Sequence, residues 1–284
     1  EPNSLAGAGE EPGPRAMDQG FQSLTRLGEP TAEKRRIRAE TFADHFSQAR
    51  LFYQSQSKVE QGHIVAAIVF ELSKVTLPHV RQRALGQLQN IDAELARRIA
   101  SGLGIDLPAA IAPARQPVKM VSSDALSILK QEAPNAGRSL AILVSDGADA
   151  TIVEGLMAAA TAAKAAVKVI APKVGGVQLT DGKMLPADEK IDGAPSVLFD
   201  AIALVLSAEG AQALTGEKAA LDFVSDAYAH CKAIGYTPAA QALLKKVGAE
   251  PDDFFSDLTH ASDQLIARLS KRIWDREPKV KQPL

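Results

Sequence analysis

Two rhythms of apolar positions divide the chain. Between residues 57 and 105 the rhythm is helical. Ile64, Ile68, Leu72 and Val75 fall on one face, with Val65 and Val69 beside them. Ser57-Lys58-Val59-Glu60 sets a hydroxyl three residues before a carboxylate, the capping-box signature of a helix start. Pro78 interrupts the pattern, because proline lacks a donor and clashes with the preceding turn. A second helix is predicted after it, with Leu85, Leu88, Ile91, Leu95 and Ile99 as its stripe and Gly102 and Gly104 as its stop.

From Arg138 the rhythm becomes short continuous apolar runs at 140–144, 167–170, 201–206 and 231–235. Helical patterns separate them over 152–166 and 216–230, and Thr237-Pro238 opens another, with Thr as cap and Pro in the first turn. Asp181-Gly182 predicts a hairpin over 177–185. A last helix is predicted over 262–275, with Leu265, Leu269 and Ile273 on one stripe and Trp274 beside it. Apolar strands alternating with helices imply an α/β fold, a parallel sheet with helices on both faces.

The remaining segments lack either rhythm. Residues 1–50 mix Pro2, Pro12, Pro14 and Pro30 with Gly7, Gly9, Gly13, Gly20 and Gly28, and read as an extended arm that orders only against a partner. Residues 106–137, punctuated by Pro108, Pro113, Pro117 and Pro134, read as a linker with a short helix near 123–131. The expected organisation is an arm (1–50), a helical segment (51–105), a linker (106–137) and an α/β domain (138–284). The sequence opens Glu1-Pro2-Asn3-Ser4 with its first Met at Met17, and is expected to be cut from something longer.

Composition narrows the function classes. Lys and Arg number 32 against 34 Asp and Glu, a formal charge of -2, which gives no general attraction to nucleic acid or anionic membranes. Apolar runs such as 201–206 fall far short of the ~20 residues of a membrane span, and the first 30 residues hold no signal-type apolar region. The single cysteine excludes an internal disulfide and a cysteine-rich metal site, and fits a reducing, cytoplasmic setting.

Candidate chemistry is sparse. Open α/β sheets bind ligands outside the carboxyl ends of their strands. Here the first such loop, Ser145-Asp146-Gly147-Ala148-Asp149, has neither G-x-G-x-x-G nor a P-loop lysine, and Gly175-Gly176 reads as a turn. A nucleophile elbow would fall at Ile234-Gly235-Tyr236-Thr237-Pro238, which contains no Cys or Ser. Cys231 lies four positions upstream, roughly 13 Å at about 3.3 Å per strand residue, and reads as a structural thiol. His45, His63, His79, His230 and His260 show no metal-ligand spacing. Lys34-Arg35-Arg36-Ile37-Arg38 is flanked by Glu29, Glu33 and Glu40 and reads as a solvated or wrapping arm. No residue is assigned a catalytic, cofactor-binding or metal-ligating role.

Several segments together resemble the C-terminal part of large-subunit catalases: Glu1-Pro2-Asn3-Ser4-Leu5, Arg50-Leu51-Phe52-Tyr53, Glu60-Gln61 with His63-Ile64, and Phe70-Glu71-Leu72-Ser73-Lys74-Val75. Arg81 with Arg83, Leu88, Ile91-Asp92, Leu95-Ala96 and Leu103-Gly104-Ile105 continue the similarity, and Arg272-Ile273-Trp274-Asp275-Arg276-Glu277-Pro278-Lys279 resembles the family's carboxyl terminus. The resemblance implies a flavodoxin-like, class I amidotransferase-like domain from Arg138 to about Leu258. In protease-like relatives of that domain the elbow cysteine aligns near Gly235, and Asp149 would sit near its acidic partner, with no role there in the absence of the nucleophile. The resemblance also implies a family reaction, haem-dependent disproportionation of hydrogen peroxide in the oxidative stress response, and a homotetramer. The family's distal histidine and asparagine and its proximal tyrosine all precede the point where this sequence begins. This chain is therefore expected to hold no cofactor and to act as a stability and assembly module, partnering a haem-barrel region or other subunits. The rival readings are a hydrolase with a degenerate site and a chaperone-like module using the arm and the 262–275 helix.

Overall fold

The computed structural model describes residues 38–260 and 262–281. The expected arm up to residue 37, with nearly all of the basic run, lies outside them. The chain divides after Asp44 into two units. Of the first, the described residues form one 3₁₀ turn, Glu40–Ala43. Everything that follows concerns the second.

Its first part is helical: α1 (Ser47–Ser55), α2 (Lys58–Ser73), α3 (Pro78–Leu88) and α4 (Ala93–Leu103). The capping box forms at the start of α2, Glu60 N donating to Ser57 Oγ at 3.3 Å and Ser57 N to Glu60 Oε2 at 2.8 Å. Helix α1 begins at Ser47, ahead of the helical segment expected from 51. Pro78 starts α3 in its first turn, where the missing donor costs nothing. The single helix expected after Pro78 is two, since Asp92 leaves helical geometry and caps α4, accepting from Leu95 N at 2.9 Å. Arg50 Nε, from α1, donates to the freed carbonyl of Ile91. Tyr53, Val65, Val69, Leu85, Leu95 and Ile99 make a small core of their own. A Cβ on Gly102 would stand 2.8 Å from Val69 Cγ2, so glycine is what lets α2 and α4 approach.

The segment 106–137 runs over these helices. The short helix expected near 123–131 is only a 3₁₀ turn, Asp124–Leu126. Side chains of the helices capture its backbone instead, which competes with helix formation. Val118 N donates to Ser47 Oγ, Ser123 N to Ser55 Oγ, and Gln56 Nε2 to Leu126 O, at 2.7, 2.9 and 2.9 Å. Glu60 is the main anchor, accepting from Ser127 Oγ at 2.7 Å and Leu129 N at 3.2 Å. Burial pushes its carboxyl up, but the hydrogen bonds from Ser127, Ser57 and Leu129 outweigh that and bring its pKa to about 2 from an ordinary 4.5. A folded pKa below the unfolded one adds stability at higher pH. The contribution is complete above 4.5, lost as pH falls from there toward 2, and on the order of 1 kcal/mol after allowance for solvent screening. Glu60→Gln is expected to lower the melting temperature at neutral pH and to flatten its fall across that acid window. Melting curves at a series of pH values check this, and an unchanged acid slope refutes it.

The second part is the α/β unit. In chain order it contains β1 (Ser139–Val144), α5 (Ala150–Ala162), β2 (Ala166–Ala171), β3 (Val177–Gln178), β4 (Met184–Leu185) and β5 (Glu189–Lys190). Next come β6 (Ala201–Val205), α6 (Ala208–Leu214), α7 (Lys218–Ala229), β7 (Ala233–Tyr236), α8 (Gln241–Lys246), β8 (Phe255–Asp257), α9 (Ser262–Ala267) and α10 (Glu277–Val280). Six strands pair in parallel in the order β5-β2-β1-β6-β7-β8. Without the two-residue edge β5, this is the flavodoxin-like order. Leu140, Ile142 and Val144 pack into one core and Ala141 and Leu143 into the other. Successive side chains of a strand point to opposite faces, so a strand covered on both faces must be apolar throughout.

The hairpin forms as predicted, β3 against β4, with Gly182 at φ +83 in its turn. Two expected details differ. Thr237 does not cap a helix with its hydroxyl, which donates to Leu206 O and accepts from Leu206 N, both at 3.1 Å, tying β7 to the end of β6. Pro238 opens a 3₁₀ turn leading into α8. The last predicted helix, 262–275, stops at Ala267. Beyond it Ser270 N donates to Asn135 Oδ1 and Ile273 N to Cys231 O, so the backbone is held by other parts of the chain. Trp274 sits in a 3₁₀ turn, Trp274–Arg276, ahead of α10. No helix among the described residues is long and apolar enough to cross a membrane.

Candidate functional site

Strand order reverses between β1 and β6, and a flavodoxin-like sheet offers its ligand crevice there, past the carboxyl ends of those strands. In this chain the position is packed. Ser207 N donates to Ser145 Oγ at 3.0 Å, and the two hydroxyls stand 3.3 Å apart. Ser207 also caps α6, accepting from Gly210 N at 3.0 Å. Gly210 lies so close that a Cβ there would fall 2.0 Å from Ser145 Oγ. The hairpin covers the adjoining loop: Gln178 N donates to the Asp146 carboxylate at 2.9 Å, and Gly147 N to Gln178 O at 2.7 Å. Asp149 caps α5, accepting from Ile152 N at 3.1 Å.

The elbow position is packed as well. A Cβ on Gly235 would lie 2.7 Å from both Leu258 Cδ2 and Leu265 Cδ2. No residue from 234 to 238 has left-handed backbone, so the strained turn that exposes a nucleophile is missing here. Cys231 precedes β7 rather than lying within it, and is one of two non-glycine residues with left-handed backbone among the described residues. It is 1 % exposed, and burial pushes its thiol pKa up, so the reactive thiolate is scarce. Native protein is expected to label slowly with a thiol-disulfide reagent at pH 8, and stoichiometrically only once unfolded. Fast labelling of the folded chain would restore the hydrolase reading.

A cleft lies at the other end of the sheet, by the amino ends of β6 and β7. It measures ≈ 670 Å³, with Lys232, Asp200, Arg272, Trp274, Glu277 and His63 on its walls. Lys232 is 4 % exposed and donates to Ser196 O and Phe199 O, both at 2.6 Å. Burial, then the nearby Arg272, bring its pKa down to about 8. Asp200 accepts from Ser139 N at 2.9 Å and Arg138 Nη1 at 3.3 Å, and pairs with Arg272 Nη2 at 3.6 Å. His63, on α2, meets Glu277 at 2.9 Å and stacks edge-on to Trp274 at 5.0 Å between centroids. Glu277 also pairs with Lys281. Burial raises the Glu277 carboxyl, and hydrogen bonds from Lys281 and His63 outweigh it and hold it low. Sequence reading missed this site, which joins residues from α2 to α10. The available signal was Lys232, a charge inside an otherwise apolar run.

The histidines are scattered, only His63 and His230 lying on the cleft. No group of three or more His, Cys, Asp and Glu suited to a metal occurs among the described residues. A haem of the kind a catalase uses needs an axial phenolate. Tyr53 lies in the helical core, and Tyr228 and Tyr236 pack against Phe255 in the α/β core. None lines the cleft, so the described residues do not fit that group.

Residues 39–103 match the family model described as catalase-related immune-responsive, and residues 136–278 the C-terminal domain found in long catalases. Catalase C of Rhizobium meliloti is 44% identical over 99% of this chain and 40% of its own length. Catalase HPII of Pseudomonas aeruginosa is 37% identical over the same shares. Catalase-B of Dictyostelium discoideum is 29% identical over 94% of this chain and 41% of its own length. The chain spans about 40% of the length of the first of these curated relatives.

Proposed function

The chain belongs to the long-catalase family, and from that membership we propose that it stabilises and assembles a haem enzyme without itself carrying the catalytic centre. The observation that supports this most is the number of large apolar side chains left exposed on the helical part and the segment strapped to it. Phe52 on α1, Phe70 on α2 and Leu77 just before α3 are 47, 61 and 54 % exposed, while Val121 and Ile128 of the strapped segment reach 90 and 83 %. Large apolar side chains left exposed in this number on so small a helical unit support a reading in which a protein partner covers them. A helical core as small as this one gains much of its stability from such packing. The partner we assign is the haem-bearing region of a long catalase, and the assembled reaction is disproportionation of hydrogen peroxide to water and oxygen. A cytoplasmic homotetramer is part of the same proposal.

The test is reconstitution. The purified chain alone is expected to show no Soret band and no peroxide turnover. Mixed with the separately produced haem-bearing region of Catalase C, it is expected to co-elute in size-exclusion chromatography and to raise that region's melting temperature. Phe70→Glu with Leu77→Glu should abolish co-elution. A Soret band with turnover from the chain alone, or no association on mixing, would overturn the proposal.

A further inference from the structure

We propose that the cleft at the amino ends of β6 and β7 binds a small monocarboxylate with an apolar body. This goes beyond the assembly reading and does not depend on it. Three observations converge. First, the cleft is of ligand size, since its ≈ 670 Å³ falls within the roughly 300–1,000 Å³ of small-molecule sites. Second, its walls hold more cationic than anionic groups. Lys232, Arg272 and Lys281 face Asp200 and Glu277. Asp200 is already shared between Arg138 and Arg272, and Glu277 between His63 and Lys281, so Asp200, like Asp226, acts on Lys232 only through space and forms no ion pair with it. Third, Lys232 is a built donor. An ammonium has three N–H groups, and two of them go to the carbonyls of Ser196 and Phe199. The third has no partner among the described residues, although the side chain is buried and lines the cleft. A carboxylate is the group that satisfies such a donor most strongly.

The apolar part of the ligand follows from the rest of the wall. Val197 and Leu198, 49 and 65 % exposed, and the Trp274 ring border the cations. One surplus positive charge matches a monoanion better than a phosphate dianion, and these side chains reward an alkyl or aryl body.

Trp274 is the only tryptophan in the chain and stands on the cleft wall, so its fluorescence reports occupancy. The experiment titrates the full chain with sodium hexanoate, with hexan-1-ol and with sodium phosphate at constant ionic strength. Hexanoate is expected to give a saturable change, half-complete at roughly millimolar concentration. Hexanol and phosphate are expected to give none over the same range. Lys232→Gln should weaken hexanoate about tenfold or more. Because Lys232 is buried and that variant is at risk of misfolding, Leu198→Glu is the second arm. Leu198 is exposed, so the substitution leaves the fold intact and places a repelling charge at the mouth, with the same loss expected. No saturable hexanoate signal, an equal response to hexanol, binding of phosphate in place of hexanoate, or unchanged affinity in Leu198→Glu each overturns the proposal.

Discussion

Replacing Arg276 with alanine is expected to destabilise the α/β unit by about 3–5 kcal/mol, the usual cost of removing one partner of a buried ion pair. Arg276 is 1 % exposed although it lies only a few residues from the end of the described chain. Its guanidinium grips Asp252 with two bonds, Nε to Oδ2 at 2.7 Å and Nη2 to Oδ1 at 2.8 Å. Nη1 reaches Lys232 O at 2.9 Å and Tyr228 O at 3.4 Å, and Cζ lies 4.8 Å from the centroid of the Tyr228 ring and 5.2 Å from that of Phe255. Alanine leaves the Asp252 carboxylate and the Lys232 carbonyl without these partners, and it unfastens α10. Glu277 follows directly, so its contact with His63 of α2 is lost together with the fastening. The melting temperature should fall by roughly 10 °C for a unit of this size. Arg276→Lys should recover little, because an ammonium cannot supply the planar fork. A melting temperature unchanged in Arg276→Ala would show that the tail is not a structural element.

The sheet was readable in the sequence because its physics is local. A strand buried on both faces must be apolar at every position, and the run at 140–144 is such a strand, feeding Ile142 to one core and Leu143 to the other. The capping box and the Asp181-Gly182 turn are also local, and both formed where expected. What failed depended mostly on distant partners. The split at Asp92 had a local signal, its carboxylate capping Leu95 N, and Arg50 adds a distant hold on the Ile91 carbonyl. Nothing in 262–275 announces that Asn135 and Cys231 will hold its backbone. Strands β5 and β8 are too short to carry a periodic signal and are set by the strands they pair with. The cleft was hidden for the same reason, its walls being drawn from residues 63 to 281. The empty elbow, in contrast, was visible from residue types alone, and the contact of Gly235 with Leu258 and Leu265 supplies its cause.

Gly210→Ala is expected to destabilise the protein by about 2 kcal/mol, although alanine is the better helix former by about 1 kcal/mol. The opposing terms are larger. The new methyl would lie 2.0 Å from Ser145 Oγ and 2.2 Å from Ser145 Cβ. The second of these is fixed by the backbone at the end of β1, so a rotamer change does not relieve the contact. Helix α6 must move away from β1, at an overpacking cost of about 1–3 kcal/mol. That movement stretches the bond from Ser207 N to Ser145 Oγ, worth about 1 kcal/mol more. The double-mutant cycle with Ser145→Gly separates packing from propensity. Ser145→Gly alone removes a hydrogen bond and destabilises, but in the Gly210→Ala background it makes room for the methyl. The double variant should therefore be more stable than Gly210→Ala alone, with a coupling of about 1–2 kcal/mol. If the two effects simply add, or if alanine stabilises the chain, then the β1–β6 crevice has spare room and the usual ligand position of a flavodoxin-like sheet is open. If the coupling appears, this sheet has given that position over to packing. Small-molecule binding must then be sought at the amino ends of the strands, where Lys232 and Arg272 stand, and partner binding at the exposed apolar side chains of the helical part.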